Sequence, residues 1–485
     1  MSRKKRTARS LENQGSNNLA NDESLFREVL EFVLPEGALF SKEEFHGNIK
    51  WVPEQLAAQG LIWSWQESKN VTDAFDKTLE ICQRMNLTKG SKTYTGFMNA
   101  IGHYRPIIGE RLRSRLQELA KEVGGRFYRT DSWCLMGFDG SRVTAPRTVA
   151  NENAFCAPNY GHGHEAKYGK KKSKGLRRKR NQEHKCEHPE PQVWTTLFWH
   201  MGLRSVWTWR LGPSNSSERG HAQEILEQEE FPENTLFCGD AGFVGYPIWS
   251  SILDAGGDFL IRVGANVSLL SKHADIKVIG GGVVYCWPLD RIKSGDRPLK
   301  LRLVRVKVGK TQMWMLTSVL NRRTLTNKQI VRYYKMRWGV EIEFRGLKQT
   351  INKHKLRCRN SDRLLAELDW SLLGMAIAEL IAMRHQIPKK AKPSSNYTPE
   401  DRSLANTLRA LRKCMRNIGI TVETLSRLFI DLKNAVVQRY NNRTDKRARY
   451  RPKNPDIKPL GDPDVRRLTA EERKKLRKFE SKLVT

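Results

Sequence analysis

The sequence contains no long apolar run. The nearest candidate, Ser371 to Ala378, is short and is flanked by Asp369 and Glu379. A membrane-spanning helix needs about 20 apolar residues, so none is predicted. The amino-terminal sequence Met-Ser-Arg-Lys-Lys-Arg has no apolar segment behind it, so we expect no secretory signal. These absences predict a cytoplasmic protein without a membrane partner.

Cysteine and acidic residues are both scarce. The eight cysteines are scattered over 485 residues without a C-x2-C pair, which favours reduced thiols over a disulfide framework. Lys and Arg total 86 against 52 Asp and Glu, a formal charge of +34. Such a charge favours an anionic partner, and nucleic acid is the usual one because each bound cation releases a counterion. Charge alone leaves a ribosome-associated or simply basic protein as an alternative.

The spacing of apolar residues divides the chain into stretches. Three- and four-residue spacing predicts helices before residue 125 and after Thr326, whereas short apolar and β-branched runs predict strands between them. The predicted fold class is α/β, a mixed sheet with a β-rich insertion and α-helical regions on either side. The stretches are a basic disordered tail at 1–22, a helical domain at 23–125, an α/β domain at 126–370 with the insertion at 266–320, a helical region at 371–440 and a basic tail at 441–485.

A basic run at 167–180 holds nine Lys or Arg side chains in fourteen positions. Such a run cannot pack in a core, so we interpret it as a phosphate-contacting arm, with a solvated loop as the alternative. Cysteines and histidines lie near it, but their spacing fits no standard zinc finger, and loop residues near DNA are the favoured interpretation. They are Cys156, His162, His164, His184, Cys186 and His188.

Two aspartates follow apolar runs that are typical of buried strands. Asp139 comes after Trp133–Phe138, and Asp240 comes after Thr235–Cys238 and one glycine. Carboxylates at strand ends can converge with a third carboxylate from a packed helix. We therefore looked for that third group on the predicted helix around residues 333–350.

That helix carries four polar residues in one narrow sector. At about 100° per residue, the four lie on one side of the helix because their separations are close to whole numbers of turns. They are Tyr334, Arg337, Glu341 and Lys348. An apolar stripe beside them packs the helix on the α/β core and leaves the polar sector at its rim. The stripe consists of Tyr333, Met336, Val340, Phe344, Leu347 and Ile351.

Taken alone, Arg337 and Glu341 also fit an ordinary i,i+4 pair on a charged helix face. Together with Asp139 and Asp240, however, Glu341 forms a set of three carboxylates that requires cations. Mg²⁺ suits oxygen ligands and leaves positions for water and phosphate. Two such ions ~4 Å apart would activate an attacking oxygen and stabilise a leaving one. We expect two Mg²⁺ ions, with Mn²⁺ as a substitute.

The motifs resemble the bacterial insertion-sequence transposases with a DDE triad and a Y-R-E-K signature. The signature matches Tyr334-x2-Arg337-x3-Glu341-x6-Lys348, within RWGVEIEFRGLKQT. Phe138-Asp139-Gly140-Ser141 and Cys238-Gly239-Asp240-Ala241-Gly242-Phe243 are similar as well, although that group often has Thr where Ser141 stands. The resemblance covers roughly residues 133–370.

The resemblance implies an RNase H-like catalytic domain, with Asp139, Asp240 and Glu341 as catalytic metal ligands. It also implies that Tyr334, Arg337 and Lys348 contact phosphates of the transposon end, and we add Arg345 to these DNA contacts. In that group an aromatic residue of the β insertion stacks on a flipped base. Trp314 is the candidate here, with a buried strand tryptophan as the alternative.

The function implied is cut-and-paste transposition, in which the enzyme binds terminal inverted repeats, cleaves DNA strands and transfers them to a target. The resemblance further implies a homodimer on paired double-stranded DNA ends, a helical amino-terminal domain that reads the repeats, and a nucleoid-associated bacterial protein. Two alternatives stay open: a transposase-derived DNA-binding protein that no longer cuts, and an RNase H-like nuclease that does not integrate DNA. Ser216 is a predicted helix N-cap, and Glu218 suits the first helical turn. The resembled group often carries a similar Ser-Glu-Arg, which implies that Glu218 and Arg219 support the site, but structural support of the helix is the favoured interpretation.

Overall fold

The structure is a computed structural model that describes residues 21–156, 191–273, 275–309, 311–387, 397–420, 426–437 and 460–482. The basic run at 167–180, all zinc candidates except Cys156, and most of the tail predicted at 1–22 lie outside these residues. So does the first part of the tail predicted at 441–485. Among the described residues, no helix is long and apolar enough to cross a membrane.

Helices precede the sheet, connect its strands and follow it. Those before the sheet are α1 (Asp22–Val33), α2 (Pro53–Trp65), α3 (Val71–Arg84), α4 (Tyr94–His103) and α5 (Arg105–Gly124). Those between strands are α6 (Val149–Phe155), α7 (Glu218–Gln228), α8 (Tyr246–Asp254) and α9 (Leu289–Ser294). The later ones are α10 (Asn327–Arg337), α11 (Gly339–Arg345), a π-helical turn (Gly346–Thr350), α12 (Ser361–Gln386), α13 (Leu404–Asn417), α14 (Leu428–Lys433) and α15 (Ala470–Lys482).

The strands form one mixed sheet. They are β1 (Cys134–Thr144), β2 (Gln192–His200), β3 (Ser205–Gly212), β4 (Thr235–Gly239), β5 (Asp258–Val263), β6 (Ser268–Ser271), β7 (Gly281–Cys286), β8 (Leu299–Val308), β9 (Thr311–Thr317) and β10 (Asp464–Arg467). Their order across the sheet is β10-β6-β7-β8-β9-β5-β4-β1-β2-β3. The predicted α/β class with a mixed sheet is confirmed.

The half of the sheet that carries the aspartates has the RNase H arrangement. In the order β3-β2-β1-β4-β5, the first three strands are antiparallel, while β4 and β5 run parallel to β1. Parallel neighbours need a crossover connection, and α7 and α8 supply helices for the two crossovers. This topology accounts for the predicted RNase H-like core.

The β-rich insertion extends this sheet instead of forming a separate one. Strand β9 pairs antiparallel with β5, and β8, β7 and β6 continue outward from it. Strand β10, from the carboxyl-terminal part of the chain, pairs parallel with β6 at the outer edge. Behind it, α15 packs Leu476 and Phe479 on Tyr285 and Trp287. The last helix is thus tied to the insertion.

Helix α12 is the centre of the helical layer and is buried on nearly every side. Its Asp369 accepts hydrogen bonds from Trp209 Nε1 at 2.7 Å and from Arg105 at 2.9 Å. Helix α2 approaches closely, since a Cβ on Gly60 would lie 2.4 Å from the Trp370 ring. Each fully buried aliphatic or aromatic side chain here contributes roughly 1.5–3 kcal/mol. The amino-terminal helices, α12 and the sheet therefore share one continuous core.

Two local expectations were wrong. Asp139 does not end a strand, because β1 continues to Thr144 through its antiparallel pairing with β2 after its pairing with β4 has ended. The N-cap of α7 is Ser217 and not Ser216, since the Ser217 side chain accepts the Gly220 N–H at 2.9 Å. The first correction concerns where strand pairing ends, and the second concerns which serine caps the helix. Composition alone specifies neither.

Candidate active site

Asp139 and Asp240 lie side by side at one edge of the β1–β4 pair. Gly137 pairs with Cys238 in parallel register, and each aspartate lies two residues further along its own segment. Because parallel strands point their carboxyl ends the same way, the two side chains reach the same region. This placement follows from the strand register rather than from the side chains themselves.

Packed aromatic rings form the floor beneath the aspartates. The Phe138 ring lies 4.4 Å from that of Phe243, edge to face, and 5.3 Å from that of Phe198, stacked. Gly239 is needed beside them, because a Cβ there would lie 2.9 Å from the Phe138 ring. These rings are fully buried. Because successive side chains of a strand alternate between faces, they anchor β1 from the face opposite to the Asp139 carboxylate.

Backbone amides orient both carboxylates. The Gly140 N–H donates to Asp139 Oδ1 at 2.9 Å, and the Gly242 N–H donates to Asp240 Oδ1 at 2.7 Å. Each bond uses one carboxylate oxygen and leaves the other available for a ligand. The glycines that follow the aspartates in the sequence therefore serve carboxylate orientation as well as the turn.

The electrostatics of Asp139 link three carboxylates. Burial raises the pKa of Asp139 above its ordinary value, and the Gly140 hydrogen bond opposes this rise. The charges of Asp240 and Glu341 raise the pKa further, whereas Arg337 lowers it. Glu341 is therefore close enough for its charge to be felt at Asp139, as the helical sector predicts.

Glu341 lies on an interrupted helix. Helix α10 begins with a capping box between Thr326 and Gln329 and ends at Arg337. Helix α11 follows after Trp338 and carries Glu341 in its first turn, and the π-helical turn 346–350 succeeds it. π-helical turns inside helices occur often at functional sites. The single α-helix predicted over 333–350 is therefore wrong in detail, although its apolar stripe does face the core.

Arg337 pairs with Asp139 and not with Glu341. Its Nη1 lies 3.8 Å from Asp139 Oδ2, and the residue is only 5% exposed. Its Nε is buried without a hydrogen-bond partner among the described residues, and its guanidinium lies 5.6 Å from the ring of Tyr334, also buried. The i,i+4 alternative is thus excluded. Tyr334 and Arg337 are buried, deeper than the predicted rim, whereas Glu341 is exposed and Lys348 is half-buried.

Lys348 reaches the first aspartate motif from the π-helical turn. Its Nζ donates to Ser141 Oγ at 2.6 Å, and burial lowers the pKa of Lys348. The hydroxyl that Ser141 shares with the more usual threonine has a visible role here. Ser141, which follows Asp139 by two residues in the chain, thereby holds the ammonium group of Lys348.

Glu218 is a fourth carboxylate beside the two aspartates, whereas the sequence favoured helix support over a place at the site. A Cβ on Gly140 would lie 2.6 Å from Glu218 Oε1, and one on Gly242 would lie 3.6 Å from its Oε2. Burial, followed by the charges of Asp139 and Asp240, raises the pKa of Glu218 to about 7. Its position at the start of the first helix after β3 was the available signal, because that helix packs beside β1.

Of the remaining residues that were predicted to contact DNA, one is exposed and one is buried. Arg345 is exposed on α11. Trp314 is only 4% exposed, and its Nε1 donates to Asp462 Oδ1 at 2.8 Å, so it is not available to a base in this structure. Trp338, which the sequence interpretation did not single out, is 57% exposed directly after Arg337.

The donor chemistry of the site fits a divalent metal ion. Asp139, Asp240 and Glu341 offer only oxygen ligands, and their mutual repulsion would be relieved by a cation. Within the described ranges, however, no three Asp, Glu, His or Cys side chains lie close enough together to form a ready metal-binding group. The three carboxylates would therefore have to move closer to one another in order to bind one ion.

The part of the chain that carries this topology and the second aspartate matches a known family. Residues 200–376 match the family described as "Transposase DDE domain". The motif-based recognition is thereby confirmed: residues 200–376 match a transposase DDE domain. Asp240 and Glu341 lie inside the match and Asp139 precedes it. The match to this family implies use of a divalent metal ion.

Two curated relatives are transposases. The putative transposase y4zB of Sinorhizobium fredii is 26% identical over 152 residues, which cover 30% of this chain and 43% of the relative. The transposase InsG for insertion sequence element IS4 of Escherichia coli is 23% identical over 319 residues, which cover 62% and 63%. The chain thus spans less than two thirds of either relative.

One solved structure is also similar, the piggyBac transposase synaptic complex with hairpin DNA. It aligns over 88% of both chains with 11% identity and a TM-score of 0.40. At that distance the likeness carries no conclusion about this chain.

Proposed function

We propose that this chain is an active transposase that binds the inverted repeats at the ends of its element, cleaves DNA strands there and joins them to target DNA. The observation that carries the proposal is the parallel register that brings Asp139 and Asp240 to one edge of the sheet, where the charge of Glu341 also acts on Asp139, in a chain that matches a transposase DDE domain. No carboxylate of the triad is missing, which argues against a silent DNA-binding derivative.

The three carboxylates would hold two Mg²⁺ ions, with Mn²⁺ as a substitute. Such ions lower the barrier for attack by a water or hydroxyl oxygen on phosphorus and stabilise the leaving oxygen. Asp139 and Asp240 each keep one oxygen free of the backbone amides for this purpose. In cleavage the water oxygen bonds to phosphorus, the P–O3′ bond breaks, and the products are a 3′-hydroxyl and a 5′-phosphate. In strand transfer that 3′-oxygen bonds to a target phosphorus, the P–O3′ bond of the target breaks, and the target strand leaves with a 3′-hydroxyl.

The cationic side chains would bind and orient the DNA. Arg337 pairs with Asp139 and would orient that carboxylate, because its burial leaves no access for a phosphate in this structure. Lys348, held by Ser141, offers a point charge beside it. Arg345 and the exposed Trp338 lie on the same helical segment, where Trp338 can stack on an unpaired base.

The wider assembly is part of the proposal. The helices at 23–125 would read the terminal repeats, and two copies would assemble on paired double-stranded ends in the bacterial nucleoid. The formal charge of +34 supports a DNA partner. It does not specify the repeat sequence or the target.

The test is cleavage and strand transfer by the purified chain on DNA that carries the repeats flanking its gene, with Mg²⁺ or Mn²⁺. Asp139→Asn, Asp240→Asn and Glu341→Gln should each abolish both reactions and leave end binding intact. Asp290→Asn, an exposed aspartate on α9, is the matched control and should react like the wild type. Cleavage retained by all three site variants would overturn the proposal.

A second readout separates the roles of metal and DNA. At a metal concentration 100 times the Kd, binding should stabilise the folded wild type by about 2.7 kcal/mol, and the site variants should lose most of this thermal shift. Cleavage without strand transfer would instead indicate a non-integrating nuclease.

A further inference from the structure

A basic groove lies between α3 and α13, away from the carboxylate cluster. It encloses a cavity of about 400 Å³, lined on one wall by α3 and on the other by α13. A water molecule occupies about 30 Å³, so the cavity admits a phosphate group with its hydration. We call it the α3–α13 groove; its cations are Lys77, Arg84, Arg409, Arg412 and Arg416.

The sequence of α13 places its arginines on one face. Arg409, Arg412 and Arg416 follow at offsets of three and seven, which one helix face accommodates. The opposite face buries Leu408 and Leu411 in the core. At 1.5 Å per residue the three arginines span about 10 Å, close to the length of three base pairs of B-DNA at about 3.4 Å each.

Local carboxylates do not neutralise these cations. Glu67 lies 3.5 Å from Arg412 with 83% of its side chain exposed, and Glu80 pairs with Arg84 with 58% exposed. In the described part of the chain, Arg409 and Arg416 form no ion pair. Two acidic groups thus face five basic ones.

The backbone fixes two of the guanidinium groups. Arg412 Nε donates to the Trp65 carbonyl at 2.6 Å, and Arg84 Nη1 donates to the Ile418 carbonyl at 3.2 Å. Burial and the nearby charge of Arg416 lower the pKa of Arg412. A partly buried guanidinium beside a second one is costly to maintain unless an anion completes the site.

We infer that the α3–α13 groove binds consecutive backbone phosphates of a DNA segment, at a place distinct from the carboxylate cluster. This inference rests on the proposed function for the identity of the polyanion. Phosphate contacts carry no sequence information but fix the position of a duplex on the protein. The groove therefore serves to position DNA and not to read it.

Salt-dependent binding tests the inference. Affinity of the full chain for a random-sequence duplex is measured by fluorescence anisotropy over a series of salt concentrations, with EDTA present to prevent cleavage. The double variant Arg409→Gln/Arg416→Gln should lower the slope of log K against log salt by about 1.8, because each phosphate contact contributes about 0.9. The matched control, Lys474→Gln/Lys475→Gln on the exposed face of α15, should change it by much less. An unchanged slope in the groove variant, or an equal change in the control, would overturn the inference.

A measurement on the wild type guards against misfolded variants. Lys77 is exposed on α3, so DNA should protect it from acetylation, followed by mass spectrometry, while Lys474 and Lys475 stay reactive. Protection by inorganic pyrophosphate but not by DNA would mean a small-anion site and would also overturn the inference. If the wild type binds no DNA under any condition, the proposed function fails. If it binds DNA with a slope that the groove variant shares, only the groove assignment fails.

Discussion

The contact between Gly140 and Glu218 gives a sharp test of the site geometry. In Gly140→Ala, the added Cβ would lie 2.6 Å from both Cγ and Oε1 of Glu218. Carbon atoms normally approach to about 3.5–4.0 Å, so Glu218 or β1 must move by about 1 Å. Overpacking of this kind costs roughly 1–3 kcal/mol. We expect a loss in that range in the free energy of unfolding.

The cause is identified by a double-mutant cycle in urea unfolding with EDTA present. Glu218→Ala removes the obstructing carboxylate and also its repulsion by Asp139 and Asp240, which opposes the loss of an acid in the first turn of α7, so its own effect is measured as one arm of the cycle. In the double variant the Gly140→Ala cost should largely disappear, which gives a coupling energy of about 1 kcal/mol or more. Additive effects would refute the placement of Glu218 against Gly140.

A matched glycine controls for backbone effects. Gly47 has no atom within 4 Å of an added Cβ, so Gly47→Ala should change the unfolding free energy by less than about 0.5 kcal/mol or raise it slightly. A loss at Gly47 as large as at Gly140 would show that loss of glycine, and not the carboxylate contact, is being measured.

Three further predictions concern single residues. Trp338→Ala should leave stability nearly unchanged, because the side chain is 57% exposed, but should weaken binding of end DNA with an unpaired base by about 1–3 kcal/mol in anisotropy titrations. Burial lowers the pKa of His200 to about 4 from 6.5, so the unfolded chain takes up the proton at a higher pH than the folded one. The stability contributed by the neutral imidazole is therefore fully present above pH 6.5, and up to about 3 kcal/mol of it is lost as the pH falls to 4. Urea unfolding at each pH measures this loss. Asp462→Ala leaves the buried Trp314 Nε1 without its acceptor and should cost about 1–3 kcal/mol in the same assay, whereas an unchanged value would mean that water replaces the carboxylate.

Much of the strand framework was predictable because apolar runs bounded by polar residues mark buried strands. The run Leu299–Val308 coincides with β8, and Thr235–Cys238 is β4 apart from one residue. What the pattern could not supply is pairing. The continuation of β1 past Asp139 depends on β2, which lies more than fifty residues away in the chain.

The candidate site was predictable as a set of residues but not as a set of contacts. Helical winding grouped Arg337 with Glu341, yet Arg337 pairs with Asp139 because the chain turns between α10 and α11. Nothing in the spacing indicates that turn. Glu218 was undervalued for the same reason, since its neighbours come from strands distant in sequence.

Trp314 illustrates a different limit. Its strand was predicted, but its burial depends on Asp462, from a segment about 150 residues later. The sequence pattern around a tryptophan on an amphipathic strand is the same whether its side chain faces solvent, DNA or another part of the chain. Only the tertiary contact distinguishes these cases.

The pairing of β10 with β6 has a consequence for how copies of this protein stay apart. A strand at the edge of a sheet presents unpaired N–H and C=O groups that invite another chain to add to it. Strand β10 covers β6 in this way, and it is short, charged and backed by α15. The segment 460–482 therefore covers this edge of the sheet with a short, charged strand, to which a strand of another chain adds less readily.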